Sequence, residues 1–342
     1  MNPSFLPEAE LYPLKFTPVC QTRVWGGDQL HNVLHREMPD SSDPIGESWE
    51  ISDRDDVNSV VAAGPLAGRT ISELVKHYNV ALLGRRCRDL SRFPLLVKLI
   101  DAGDRLSLQV HPDAGACVRI GGKAEPKTEM WYIISARQGG RIFAGLKPRA
   151  TRLQLSELLG SPDATALESQ LQVYESLPRD AYFIPAGTVH AIGAGNLLLE
   201  IQQNSDTTYR LSDWGRVDRN GRSRELHVKQ GMSAIDFTNR VSPRIAGAVN
   251  HTHHNRKFEV ITVCPYFRVS DLRLTSAWND CTFNDASFHI LSAIDAPVRI
   301  AGKNGTEANL KAGESALLPA CFGNYTIEPQ MAGESTVVKT TL

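Results

Sequence analysis

The stretch YFIPAGTVHAI, residues 182–192, reads as an apolar strand, a Pro-Ala-Gly turn and a second short strand. A similar stretch, ALLPACFGNYTI, occupies residues 316–327 and again places Pro-Ala between two apolar runs. Five residues after the respective prolines, the first copy has His190 and the second has Asn324. This internal repeat predicts two related β-barrels, the second with an amide where the first has an imidazole.

Strand signals dominate the rest of the chain. Apolar and β-branched runs such as FPLLVKLI, EMWYII, NLLLEIQQ and KFEVITV are separated by Gly, Pro, Asn and Asp. Their spacing favours antiparallel sandwiches or barrels over alternating βαβ units. We therefore predict a mainly β fold of two barrels with a few peripheral helices.

Local signals place three helices and one turn. A capping box of Thr70 and Glu73 predicts a helix start, and helical spacing of leucines predicts a second helix over 151–159. A third helix is expected near residues 225–235. The pair Asn220-Gly221 predicts a turn at the surface.

The polar stretch VNHTHHNRK, residues 249–257, is the expected linker between the two barrels. We predict a first barrel over residues 1–245, with helical insertions and the chemistry of the chain. The second barrel is predicted over residues 246–342, without metal ligands.

Composition limits the partners. The 342 residues carry 37 Lys and Arg against 38 Asp and Glu, so no global basic field attracts nucleic acid or an anionic membrane. Six dispersed cysteines without a CxxC pair suit reduced thiols, and no apolar run nears the roughly 20 residues of a spanning helix. We expect a cytoplasmic protein that binds neither nucleic acid nor membrane. Because GxGxxG, P-loop and GxSxG motifs are absent from the sequence, nucleotide cofactors and serine-nucleophile hydrolysis are disfavoured.

Four side chains form a candidate metal site. Gln109 and His111 stand at i and i+2 of a strand and therefore point to one side of it. Glu129 heads the strand EMWYII, and His190 follows the Pro-Ala-Gly turn. Taken singly, a buried histidine is more often a core residue satisfied by a carbonyl. Together the four nitrogen and oxygen donors, without sulfur, suit Zn²⁺ and also Mn²⁺, Fe²⁺ or Co²⁺.

A dense polar segment follows the strand NLLLEIQQ and ends at Arg210. It is either a wet edge strand or the lining of a polar pocket in which the Arg210 guanidinium binds an oxyanion or phosphate. Lys127, two residues before Glu129, is either an exposed loop lysine or a second cation beside the metal. The sequence leaves both pairs of alternatives open.

The stretches TPVCQTRVWGG, GESWEIS, FPLLVKLIDAGDRLSLQVHPD, KTEMWYII and PAGTVHAIGAGNLLLEIQQNSDTTYR together resemble the type I mannose-6-phosphate isomerases in their short bacterial form. The resemblance runs from about Leu11 to Gln230. It implies cupin (jelly-roll) barrels and one metal ion per chain, usually Zn²⁺, held by Gln109, His111, Glu129 and His190. It also implies that Arg210 is the active-site arginine and that the sugar-phosphate pocket is lined by Lys127, Trp25, Glu47 and Ser107. Longer members read Lys-Pro-Glu where this chain has Lys127-Thr128-Glu129, so substrate details of that branch do not transfer automatically.

The resemblance implies reversible aldose–ketose isomerisation of mannose 6-phosphate and fructose 6-phosphate through an enediol(ate). The substrate would be a small sugar phosphate, and the protein a monomer or homodimer. Arg210 is expected to stabilise negative charge, because a guanidinium is a poor general base. Glu200, Asp206 or a water on the metal remain as candidate bases, and Glu200 is also placed in the substrate pocket.

Two other functions stay open at this point. One is a cupin oxygenase or epimerase, and the other is a non-catalytic sugar-phosphate sensor, which the second barrel with Asn324 makes conceivable. We rank both below the isomerase, because four ligands together with Arg210 and Lys127 exceed what a binding module requires.

Overall fold

A computed structural model describes residues 5–159, 164–217, 221–239, 242–245, 248–251, 255–261, 264–282 and 286–342. Within these ranges the chain is mainly β, as predicted. The first twelve strands are β1 (Val19–Thr22), β2 (Ile45–Ile51), β3 (Leu95–Ala102), β4 (Leu108–Val110), β5 (Glu129–Ala136), β6 (Arg141–Leu146), β7 (Leu171–Glu175), β8 (Ala181–Ile184), β9 (His190–Ile192), β10 (Asn196–Gln203), β11 (Tyr209–Ser212) and β12 (Arg244–Ile245). The next ten are β13 (Ala248–His251), β14 (Arg256–Ile261), β15 (Arg268–Leu274), β16 (Trp278–Cys281), β17 (His289–Ala293), β18 (Val298–Gly302), β19 (Glu307–Leu310), β20 (Ser315–Leu318), β21 (Asn324–Pro329) and β22 (Ser335–Thr341).

The helices are short. They are α1 (Gln29–Asn32), α2 (Ile71–Tyr78), α3 (Val80–Leu83), α4 (Ala114–Ile120), α5 (Arg152–Leu159), α6 (Ala164–Glu168) and α7 (Val228–Ala234), with 3₁₀ turns at Glu8–Glu10, Lys303–Gly305 and Ala320–Phe322. The longest of the described helices, α2 and α5, have eight residues each, so no membrane-spanning helix is found among them.

The first barrel is built from two sheets. A seven-stranded sheet has the order β1-β2-β3-β10-β5-β8-β12, and a five-stranded sheet has the order β11-β4-β9-β6-β7. Inward-facing apolar side chains of both sheets form one core, in which Trp131 and Ile133 of β5 pack with Ile142 of β6 and Ile192 of β9. Alternating inward residues of facing sheets are the usual core of a β-sandwich or jelly roll.

The second barrel repeats this plan. A six-stranded sheet, β13-β14-β15-β22-β17-β20, pairs with a four-stranded sheet, β16-β21-β18-β19. Leu272, Leu291 and Val337 of the larger sheet share a core with Ile300 and Ile327 of the smaller one. β21 lies between β16 and β18 as β9 lies between β4 and β6, so the repeat predicted from the two Pro-Ala stretches is confirmed.

The chain forms two compact units. One comprises Cys20–Ser48 and Lys98–Ile245, and the other comprises Met1–Val19, Trp49–Val97 and Ala246–Leu342. All candidate site residues belong to the first of these units. The division of the sequence into domains 1–245 and 246–342 stays a prediction.

Most local predictions are confirmed. The Thr70 side chain accepts from the Glu73 amide at 3.2 Å, and Glu73 Oε2 accepts from the Thr70 amide at 2.8 Å, so α2 begins with a capping box. The other two predicted helices are α5 and α7. Asn220 of the predicted turn lies outside the described residues. None of the six cysteines forms a disulfide.

The predicted linker at 249–257 was wrong in part. Its beginning belongs to β13 and its end to β14, and these two strands pair antiparallel, His251 opposite Arg256. Backbone hydrogen bonding to a neighbouring strand therefore outweighs the polar composition that suggested a linker. His253 and His254 lie outside the described residues.

Candidate active site and metal centre

Strand register places three of the predicted site residues in one row. Gln109 on β4 is directly opposite His190 on β9, and on the other side of β4 it is opposite Arg210 on β11. Side chains of directly paired residues in antiparallel strands point to the same face of the sheet. His190, Gln109 and Arg210 therefore share one face of the sheet, across β9, β4 and β11.

A tight turn sets the position of His190. The Thr188 amide donates to the Pro185 carbonyl at 3.1 Å, and Gly187, the third residue of the turn, has a φ of +86°. This region of φ favours glycine at that turn position. The Gly187 amide also donates to the His111 carbonyl at 2.8 Å, which links the turn to the residue after β4.

Glu129, the first residue of β5, lies between the two histidines. Its Oε2 is 3.2 Å from His111 Nε2, and its Oε1 is 3.3 Å from His190 Nε2. One potential ligand atom from each of the three residues lies within 4.8 Å of the others, and all three side chains are buried. The predicted set of one carboxylate and two imidazoles therefore converges.

A backbone carbonyl orients the ring of each histidine by accepting a hydrogen bond from Nδ1, on the side of the ring away from Glu129. His111 Nδ1 is 2.8 Å from the Thr207 carbonyl, and His190 Nδ1 is 2.8 Å from the Thr188 carbonyl. Because a carbonyl only accepts, each Nδ1 carries the proton and each Nε2 presents a lone pair towards Glu129. Burial lowers the pKa of both imidazoles, that of His111 to about 4, which keeps them neutral as metal ligation requires.

Gln109, the fourth residue of the predicted set, adjoins the cluster at His190. It is half-buried, and its side-chain amide nitrogen lies 3.2 Å from His190 Nε2. A half-turn of the amide exchanges its nitrogen and oxygen and brings a carbonyl oxygen to the same place.

The cluster fits a divalent cation. Glu129 Oε2 has Lys127 Nζ at 3.0 Å, but His111 Nε2 and Glu129 Oε1 are buried without a hydrogen-bond partner in the described part of the chain. Buried polar atoms are rarely left in that state, because their desolvation is then uncompensated. Two neutral imidazoles, one carboxylate and one amide oxygen form an N/O donor set for such an ion.

Lys127 is buried and not an exposed loop lysine. Its Nζ lies 3.0 Å from Glu129 Oε2. Burial alone would lower the pKa of Lys127, but the charges of Glu129 and Glu200 raise it above its ordinary value. Conversely, burial raises the pKa of Glu129, while Lys127 and His111 bring it well below the ordinary range. Lys127 is therefore a fixed cation beside the ligand set.

Charged side chains on the neighbouring strands β2, β3 and β10 of the larger sheet pair with one another. Arg23 donates twice to Glu47 on β2, at 3.1 and 3.0 Å. Lys98 Nζ on β3 lies 3.9 Å from Glu47 Oε2 and 3.6 Å from Glu200 Oε2 on β10. The indole of Trp131 on β5 donates to Glu200 Oε1 at 3.0 Å. Burial, followed by the charge of Glu129, raises the pKa of Glu200.

These groups border a cavity of about 330 Å³. Its cationic lining residues are Arg23, Lys98, Lys127, Arg210 and Arg224, and its acidic lining residues are Glu47, Glu200 and Asp206. Counted over the lining alone, five cations face three carboxylates. Two of these cations also pair with carboxylates behind the lining, Lys127 with Glu129 and Arg224 with Asp213, which leaves Arg210 as the lining cation without a carboxylate partner among the described contacts. A cavity wall lined mainly by cationic side chains attracts a small dianion.

The predicted site residues all reach this region. Trp25, Glu47, Ser107, Gln109, Lys127, Glu200 and Arg210 line the cavity, and His111, Glu129 and His190 form the cluster of ligand atoms. Their individual roles stay predictions. Arg23, Lys98 and Arg224 were not predicted. A lysine inside the apolar run FPLLVKLI was a signal for Lys98, whereas nothing in the sequence around Arg224 distinguished it.

Fold and site together define a cupin in which a buried cluster that could hold a metal ion adjoins a cavity lined by cationic side chains. Residues 13–138 match the family described as phosphomannose isomerase type I, catalytic domain. Mannose-6-phosphate isomerase ManA of Bacillus subtilis (strain 168) is 35% identical over 322 residues, with 92% of this chain and 96% of that protein covered. Mannose-6-phosphate isomerase of Streptococcus mutans is 37% identical over 223 residues, covering 65% of this chain and 67% of that protein.

The fold points to the same relatives. The crystal structure of the mannose 6-phosphate isomerase from Bacillus subtilis superposes with a TM-score of 0.83 at 31% identity, covering 97% of this chain and 100% of that one. The chain belongs to the type I phosphomannose isomerase family.

Proposed function

We propose that this protein interconverts mannose 6-phosphate and fructose 6-phosphate by moving a proton between C2 and C1 of the sugar through an enediol(ate). The observation that carries the proposal is that the buried ligand cluster adjoins, through Gln109 and Lys127, a cavity lined by five cationic side chains. A sugar phosphate needs both, because its reacting hydroxyl and carbonyl oxygens and its phosphate lie at opposite ends. The names of the relatives support the same substrate pair.

The proposed cofactor is one Zn²⁺ per chain, held by Gln109, His111, Glu129 and His190. A bound divalent ion supplies Lewis-acid stabilisation of negative charge on the sugar oxygens. The four donors contain no thiolate, so Mn²⁺, Fe²⁺ or Co²⁺ also suit the set.

Arg210 is proposed to stabilise the negative charge that develops on the substrate. Burial, followed by the charge of Arg224, lowers its pKa, yet a guanidinium remains protonated at neutral pH. Its place opposite Gln109 puts this cation in the row of side chains that begins at His190. A preorganised cation at that point favours the enediolate over the neutral sugar.

Glu200 is the carboxylate we favour as the proton carrier. Trp131 and Lys98 fix its two oxygens, and the residue is buried within the cavity wall. Asp206, the other candidate, is exposed. A fixed and desolvated carboxylate is the better-positioned base for a proton bound to carbon.

Three further residues are proposed to bind the sugar. Glu47 is oriented by Arg23 and presents its carboxylate to hydroxyl groups. Ser107 offers a hydroxyl two residues from Gln109, and buried Trp25 provides an apolar wall. Lys127 is proposed to contact a sugar oxygen beside the metal ligands.

We also propose a cytoplasmic monomer or homodimer with a catalytic domain over 1–245 and a second domain over 246–342. The absence of disulfides among the six cysteines is in keeping with a reducing compartment.

The direct test is a coupled assay for fructose 6-phosphate formed from mannose 6-phosphate, first on chelator-treated protein and then after Zn²⁺ is restored. We expect activity to disappear and to return. Zinc-loaded protein that does not turn over mannose 6-phosphate, but is still stabilised by it against heat, would favour the sensor instead.

Arg210→Ala separates charge stabilisation from metal binding. We expect the variant to keep its metal and to lose about 10²- to 10³-fold in kcat, the range found when one oxyanion-stabilising donor is removed. The measurement is metal content per chain together with kcat. Wild-type turnover in this variant would rule out the proposed role of Arg210.

A further inference from the structure

The segment from Ser107 to His111, which includes β4, runs along the cavity and defines its two ends. Ser107 and Gln109 both line the cavity, and His111 belongs to the ligand cluster. Alternate residues of an extended segment face the same side, and two residues span roughly 7 Å. The end of this row at Gln109 and His111 is therefore the metal end, and Ser107 lies two residues beyond Gln109, about as far from it as an open hexose chain reaches.

The chain after β11 leads to that distant end. β11 runs antiparallel to β4, with Tyr209 opposite Val110, Arg210 opposite Gln109 and Ser212 opposite Leu108. Asp213 follows directly and is buried. The strand register thus places Asp213 towards Ser107 and away from His111.

Asp213 holds Arg224 in a bidentate ion pair. Arg224 Nε donates to Asp213 Oδ2 at 2.8 Å, and Arg224 Nη2 donates to Oδ1. This geometry fixes the guanidinium plane of a cavity-lining residue. Arg216 Nη1 lies 3.7 Å from the same carboxylate, so one buried acid faces two arginines.

A further guanidinium adjoins this pair without a carboxylate of its own among the described contacts. Arg210 donates Nη1 to the neutral Glu225 carbonyl at 2.7 Å, and its Nε is buried without a hydrogen-bond partner. The charge of Arg224 acts on Arg210 strongly enough to help lower its pKa, after burial. Arg210 and Arg224 are neighbouring cations, and Arg210 Nε is a buried donor without a partner, so the pair is suited to binding an anion.

We infer that Arg224 is a specificity-determining residue that binds the phosphate group of the substrate, and that Asp213 is the residue that positions it. This inference rests on the proposed function and adds the site of phosphate recognition. The phosphate binds at the Arg224 end, while C1 and C2 of the sugar lie at the metal end. Arg210 lies between the two and contacts whichever oxygen carries the developing charge.

The test is Arg224→Gln, measured in steady-state kinetics with mannose 6-phosphate and in calorimetric binding of inorganic phosphate. We expect KM and the phosphate Kd to rise about 10- to 100-fold, as for loss of a charge-assisted bidentate contact, with kcat within about threefold of wild type. Arg222→Gln is the matched control, because it removes an equal charge from an exposed position two residues away. The control should change neither constant by more than about twofold.

Two more variants distinguish loss of the phosphate contact from misfolding of the protein. Arg224→Lys keeps the charge but loses the fork, so it should recover part of the affinity. Asp213→Asn should raise KM less than Arg224→Gln, with kcat retained. Phosphate binding is measured without turnover, so it distinguishes this inference from the isomerase proposal. Equal phosphate affinity in Arg224→Gln and Arg222→Gln, or no phosphate binding by the wild-type protein, would overturn the assignment of Arg224.

Discussion

The two barrels share a strand topology but carry different side chains at equivalent positions. In the first, Glu129 on β5 is opposite Ile184, the residue before Pro185. In the second, His289 on β17 is opposite Leu318, the residue before Pro319. Glu129 and His289 are therefore equivalent by register. Asn324 has the spacing of His190 from the proline but is exposed, and the next residue, Tyr325, is the buried one.

The surroundings of these equivalent residues differ. The two Glu129 oxygens face imidazole nitrogens that present lone pairs, and Lys127 Nζ lies 3.0 Å from Oε2. His289 Nδ1 instead lies 2.7 Å from the Tyr325 hydroxyl, and Asp280, beside Tyr325, is paired with Lys339 at 2.6 Å. Among the described residues, His111, Glu129 and His190 form the one cluster of acidic, histidine or cysteine side chains that suits a metal ion.

The same barrel design therefore serves two purposes. In the first barrel, His111 Nε2 and Glu129 Oε1 have no hydrogen-bond partner among the described residues, which is unfavourable unless a cation compensates it. In the second, His289 bonds to Tyr325 and Asp280 pairs with Lys339, so these buried groups satisfy one another. A satisfied polar network stabilises the barrel, whereas buried atoms without partners favour the binding of a cation.

The largest effect should come from His111→Ala. Loss of one imidazole should remove the metal and lower kcat/KM by about 10³-fold or more, because Lewis-acid stabilisation accounts for several kcal/mol of the barrier. The matched control is His289→Gln in the second barrel, for which metal content and kcat/KM should stay at wild-type values. Metal analysis and kinetics on both variants test the comparison, and a metal-free His289→Gln protein would contradict it.

A smaller effect concerns acid stability of the second barrel. Burial and the charge of Lys339 lower the pKa of His289 to about 3, against 6.5 in the unfolded chain. Below pH 6.5 the unfolded state binds the proton and the folded state does not, so stability falls as the pH falls towards 3. At pH 5 the loss from this group is about 2 kcal/mol.

His289→Gln should remove that loss. The difference in the free energy of unfolding between pH 7 and pH 5, measured by urea denaturation, should therefore be about 2 kcal/mol smaller in the variant than in the wild type. An unchanged pH dependence would mean that His289 is protonated inside the folded barrel.

The smallest effects come from two glycines in the equivalent turns. Gly187 and Gly323 have φ values of +86° and +80°. Alanine at either position should cost about 1–2 kcal/mol of stability for the left-handed backbone. At Gly187 a Cβ would also approach the Asp236 Cβ to 3.0 Å, whereas at Gly323 the nearest atom is a lysine Nζ at 4.0 Å.

Gly187→Ala should therefore disturb the turn that positions His190 and weaken metal binding, while Gly323→Ala should affect stability alone. Thermal unfolding and zinc titration on both variants separate these outcomes. Equal zinc affinity in the two variants would show that the His190 turn tolerates the shift.

Much of the fold could be predicted from local patterns. Period-two and apolar runs located most strands, the Thr70–Glu73 pair located a helix start, and the repeated Pro-Ala stretch indicated the duplication. The linker prediction failed because polar composition did not reveal that the two ends of this stretch pair with each other as β13 and β14. The pair Asp280–Lys339 had no sequence signal because its members lie 59 residues apart.

The candidate donors follow from the sequence alone, because Gln109 and His111 share a face through strand periodicity and Glu129 and His190 carry matching chemistry. That His111, Glu129 and His190 meet, whereas His289 of the second barrel bonds to Tyr325, follows from the tertiary structure. The fold also brings Arg23, Lys98 and Arg224 to the same cavity. Alternation along a strand is a local property, whereas register between strands sets which side chains become neighbours and which buried charges find a partner.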